Sequence, residues 1–131
     1  MRLASAALLS AFVVSACLGH NDPPPPMESV AIMTEPQRAN ACMEALITGR
    51  LVAHPQWGLA LQSPGGDDVM RPMFPFGYTA ARQGDVIGLF DENGAFVAQT
   101  GDTIQSSGGS LGVEGNPVVA LCDDTIEVVE G

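Results

Sequence analysis

The chain has 131 residues and carries 15 Asp and Glu against 5 Arg, with no Lys, for a formal net charge of −10. That surplus excludes recognition of nucleic acid or of an anionic lipid surface through a basic patch. The length allows one small domain with a modest core beside shorter appended segments.

Arg2 and the apolar run Leu8-Leu9-Ser10-Ala11-Phe12-Val13 lead into Val14-Ser15-Ala16-Cys17. The run is too short for a bilayer span, which needs about 20 apolar residues. It fits the apolar region of a secretory signal, which needs about 7–15. Small residues directly before a cysteine resemble the lipobox of bacterial lipoproteins. The resemblance implies that residues 1–16 are a cleaved signal peptide. It also implies that Cys17 becomes the first residue of the mature protein and carries acyl chains such as palmitate. The expected location is then the bacterial cell membrane or outer membrane, facing the periplasm or the exterior. The first expected partner is the lipid bilayer, held through the acyl chains of Cys17. Two or more chains are needed for a stable anchor.

Residues 17–38 read as the lipidated cysteine and a tether. Pro23-Pro24-Pro25-Pro26 favours extended polyproline II, a semi-rigid spacer that lifts the folded part off the headgroups. The folded unit is expected over 39–131. Thr34-x-x-Gln37 resembles a capping box, and Ala39, Cys42, Met43 and Leu46 fall at helical spacing, so a short helix is expected near 35–43.

From there the chain alternates strand signals and turns. Ala45–Ala53 is a strand ending at His54-Pro55, and Trp57–Gln62 pairs back on it as a hairpin. Val69–Phe74 is a strand that Pro72 restricts to an edge or a bulge. Tyr78–Arg82 and Asp85–Phe90 follow. Asn93-Gly94 marks a tight hairpin turn into Ala95–Gln99. Thr103–Gln105 is short, Ser106–Pro117 reads as a glycine-rich loop, and Val118–Cys122 and Thr125–Val129 are the last strands. Short strands with frequent turns belong to an antiparallel barrel or sandwich and not to βαβ units. The expected fold is all-β, a small OB-like antiparallel barrel of about five to seven short strands, with a β-sandwich as the alternative.

Phe74-Pro75-Phe76-Gly77-Tyr78, followed by Asp85-Val86-Ile87, Asp91-Glu92-Asn93-Gly94, Val97-Ala98, Gly101-Asp102 and Gly108-Gly109, resembles a pattern in small uncharacterised domains of exported bacterial proteins. It covers roughly residues 45–122, and it implies no activity or ligand.

With Cys17 lipidated, Cys42 and Cys122 form an even pair, and in an oxidising compartment such a pair reads as a disulfide. The competing use of the same sulfurs is a metal site with His54, but no close Cys or His pair preorganises it. A small envelope hydrolase would need His54 as its base, yet no Gly-x-Ser-x-Gly elbow occurs and His54 sits beside Pro55. Asp91-x-Asn93-Gly94 lacks the later ligands of a calcium loop. Asp67-Asp68 and Asp123-Asp124 flank turns and are expected in solvent. No cofactor is expected. Aromatic side chains can stack sugars or bases on an OB-like face. Trp57, Phe74 and Tyr78, beside Pro- and Gly-rich breaks, are the expected ligand-binding residues if they are exposed. The expected function is a non-enzymatic, membrane-anchored module that binds a protein or glycan of the envelope.

Overall fold

The structure, a computed structural model, describes residues 26–112 and 118–129. Cys17, the signal segment and most of the proline run lie outside the described residues.

The described elements are all strands. They run β1 (Glu28–Val30), β2 (Ala45–His54), β3 (Gly58–Gln62), β4 (Val69–Met73), β5 (Thr79–Gln83), β6 (Val86–Phe90), β7 (Phe96–Gln99), β8 (Thr103–Ser110), β9 (Val118–Leu121) and β10 (Glu127–Val129). Five of them close a barrel in the order β2-β3-β4-β9-β8, with β8 returning to β2. Counted within the barrel this is 1-2-3-5-4-1. Its third and fifth strands, β4 and β9, are parallel, and every other pair is antiparallel. The expected OB-like barrel is therefore present. β10 adds to β8, and a separate antiparallel sheet runs β1-β5-β6-β7. This second sheet takes the strand number beyond the five to seven expected.

One apolar cluster joins the two layers. Leu51, Leu59, Leu61, Ile104, Val119 and Leu121 come from barrel strands, and Ala80, Ile87, Leu89 and Ala98 from the second sheet. Alternation along the strands turns these side chains to one side, so the second sheet buries its apolar face on the barrel. The buried Ser106 hydroxyl lies 3.0 Å from Thr125 Oγ1, which also accepts the Ser107 N–H.

Several expectations are corrected by this geometry. The folded unit does not begin at residue 39, because β1 pairs with β5 through Ser29 opposite Ala81. Met33 and Glu35 then bond the backbone of Phe74. The helix expected near 35–43 is absent: the Glu35 N–H is spent on the Phe74 carbonyl, and residues 35–44 form an irregular strap. A helix that short is marginal without packing on a core.

Pro72 lies in a central strand and not at an edge. The β3 ladder ends at Met70, and Pro72 is paired only with β9 through Val119, so the proline sits where β4 has no partner on its β3 side. Half of the expected glycine-rich loop is strand, since Ser106–Ser110 belongs to β8. A Cβ at Gly108 would fall well inside contact distance of the Ala120 carbonyl oxygen, so glycine at 108 lets β9 approach and close the barrel.

The Asn93-Gly94 turn joins β6 and β7 as expected. Asp91 Oδ1 accepts the N–H groups of Asn93 and Ala95 at 2.9 Å each, so this carboxylate caps the turn.

Candidate functional site

The strap of residues 35–44 leaves a cleft of about 400 Å³ against β8, β9 and the Pro75–Phe76 turn. Two fastenings hold it. At one end Cys42 is joined to Cys122 by a disulfide with a Cα–Cα distance of 5.7 Å. In the middle Arg38 Nη1 donates to both Glu92 carboxylate oxygens, at 2.8 and 3.0 Å, and its guanidinium lies 5.6 Å from the Phe76 ring centroid. The Glu92 bond and charge raise the Arg38 pKa above its ordinary value. Such an exposed pair adds little stability, but it fixes where the strap lies. Gly77 makes this possible: at φ 85° the turn folds back so closely that a Cβ would strike the Glu92 side chain.

The walls of the cleft are apolar. Phe76, Met43 and Leu111 line it while 39–46% exposed. Glu35, Arg38, Asn40 and Asp123 supply its polar groups. Asp123 is positioned from beneath, because the Tyr78 hydroxyl donates to Asp123 Oδ1 at 3.0 Å and the Asp124 N–H donates to the same oxygen at 2.9 Å.

Tyr78 itself is buried, and burial first, then the Asp123 hydrogen bond and charge, push its phenol well above the ordinary range. A phenol raised in the folded state holds its proton more tightly there than in the unfolded chain. Stability is therefore intact below about pH 10 and falls as pH rises towards and through the raised value. The chain has a single Tyr, so tyrosinate absorbance reports this group alone. The phenol is expected to ionise only as the protein unfolds in alkali, and Tyr78→Phe is expected to flatten the alkaline loss of stability. Ionisation at the ordinary value, with the fold intact, would contradict this.

The three aromatic side chains expected to bind ligand separate. Phe74 is fully buried and Tyr78 is 6% exposed, so both are core, and neither offers a face to a ligand. Trp57 is half-buried in the turn between β2 and β3. Its ring is stacked on His54 at 4.0 Å with planes 9° apart, and the Arg71 guanidinium lies 5.8 Å from its centroid. His54 Nδ1 accepts the N–H groups of Gln56 and Trp57, both at 3.1 Å. That makes His54 a turn residue whose Nδ1 is occupied by backbone N–H groups. The structure brings Cys42 and Cys122 together and leaves His54 at the far end of the ten-residue β2. With both sulfurs in a disulfide, the proposed thiolate metal site has lost its ligands.

Sequence reasoning passed over Phe76, Arg38 and Glu35 as a set. The signal was the turn Pro75-Phe76-Gly77, whose tip places an aromatic ring outside the strand alternation. No family model, no curated protein and no solved structure matches this chain.

Proposed function

We propose that the protein is a non-enzymatic lipoprotein of the bacterial envelope, anchored through acyl chains on Cys17, and that it binds a partner in the cleft beneath the strap. The observation that carries the binding part is the cleft, whose volume of about 400 Å³ lies in the range of small-ligand sites, about 300–1,000 Å³. Its make-up, apolar walls with a few polar groups, is also that of such sites. The lipobox-like Val14-Ser15-Ala16-Cys17 supports the anchor. The Cys42–Cys122 disulfide fits an oxidising compartment, where such bonds persist. The span from Cys17 to β1 then serves as a spacer that holds the cleft away from the headgroups.

Membrane fractionation of the wild type and of Cys17→Ser tests the anchor. The wild type is expected in the membrane fraction, extracted only by detergent. Cys17→Ser is expected either as unprocessed precursor or as soluble protein. Equal release of both proteins by a salt wash would remove the lipid anchor from this reading.

A further inference from the structure

We infer that the occupant of the cleft is a large apolar side chain carried on a basic segment of a partner protein, a reading that rests on the cleft being the binding site. Three of the eight large hydrophobic side chains left exposed among the described residues, Met43, Phe76 and Leu111, line this one cavity. Clustered apolar exposure with a polar rim marks a place of association.

The rim fixes the sign of the partner. Arg38, its one cation, is neutralised by Glu92. Glu35 is half-buried at the cleft, and its carboxylate makes no hydrogen bond or ion pair among the described residues. Asp123 accepts hydrogen bonds from Tyr78 and the Asp124 N–H, and the Arg38 guanidinium acts on it through charge alone. Three carboxylates, Glu35, Glu92 and Asp123, therefore face one guanidinium around an apolar cavity, on a chain whose formal net charge is −10. That field attracts Lys and Arg and repels anionic headgroups and nucleic acid. A sugar would need a dense set of hydrogen-bonding partners, whereas these walls are mainly hydrocarbon and one aromatic ring. A peptide that inserts Leu, Phe or Met and flanks it with Lys or Arg meets both requirements.

The test uses the full chain, acylated and disulfide-bonded, in nanodiscs of zwitterionic lipid, with empty discs as the blank. Three capped, dye-labelled tetrapeptides are titrated by anisotropy: Lys-Leu-Phe-Lys, Glu-Leu-Phe-Glu and Lys-Ser-Ser-Lys. Lys-Leu-Phe-Lys is expected to bind about tenfold more tightly than either of the others, and added salt is expected to narrow its lead over the acidic peptide. Glu35→Gln is expected to reduce that lead severalfold. Phe76→Ser and Leu111→Ser, two substitutions at exposed positions, are each expected to weaken Lys-Leu-Phe-Lys.

Equal affinity for the basic and acidic apolar peptides would overturn the charge selection and leave the cleft as a binding site. Equal affinity for Lys-Leu-Phe-Lys and Lys-Ser-Ser-Lys would overturn apolar insertion. Free phenethylamine binding more tightly than any peptide would overturn the peptide occupant. Binding unaffected by both serine variants would remove the cleft itself and with it the function proposed above.

Discussion

A Cys42→Ala, Cys122→Ala double variant is expected to unfold with a free energy lower by about 2–4.5 kcal/mol, the upper value being the chain-entropy limit for a bridge of this span. The two cysteines are 80 residues apart in sequence, so the bridge closes most of the folded unit into one loop and removes many open conformations from the unfolded chain. A small domain has a total stability of about 5–15 kcal/mol, so the loss is a large fraction of the whole. In a thermal scan it corresponds to a fall of roughly 10–30 °C in Tm. The barrel ladders do not pass through the bridge, and the far-ultraviolet spectrum at low temperature is expected to be retained. The strap, fastened otherwise by Arg38 on Glu92, is expected to lose its place, and binding in the cleft falls with it. A double variant within about 0.5 kcal/mol of the wild type would show that the bridge is dispensable.

The second large effect is expected from Phe74→Ala, at about 3–5 kcal/mol. Phe74 is among the largest side chains with no exposure at all. Its backbone also ties the N-terminal segment down, donating to the Met33 carbonyl and accepting from the Glu35 N–H. Removing the ring opens a cavity where that segment packs on the barrel. Phe76, two residues on and 39% exposed, is the matched control, and its truncation is expected to cost less than about 1.5 kcal/mol. Chemical denaturation of both variants checks the pair. Similar losses would mean that the burial of the two rings has been assigned wrongly.

These two phenylalanines also show where sequence reading stops. Period-2 alternation decides which face of a strand is buried, but Pro75 interrupts it between them. Either ring was equally entitled to the core, and only the turn at Gly77 settles that Phe74 turns inward. The barrel and the disulfide were legible for local reasons. Trp57–Gln62 folds back on Ala45–Ala53 as a hairpin, the short strands demand closure, and two cysteines remained to pair. The strap was not legible, because Ala39, Cys42, Met43 and Leu46 mimic a helical stripe. What fixes residues 35–44 is long-range: the Phe74 backbone, Glu92 and Cys122. The same holds for β8, where Gly108 and Gly109 look like a loop until β9 and Met43 are seen to press against them. It holds again for β1, whose partner strand lies about fifty residues further along the chain and leaves no mark on the local composition beside the proline run. The cleft is assembled from the first two of these unseen features, the strap and β8, so its residues could be named singly from the sequence but not as a set.

The most direct test of the account is the intact mass of the protein recovered from bacterial membranes without reduction. The expected species begins at Cys17, carries the mass of two or more acyl chains, and is two hydrogens lighter than the reduced chain because of Cys42–Cys122. An unacylated species, or one that retains its signal segment and both thiol hydrogens, would contradict a lipid-anchored, disulfide-clasped envelope module.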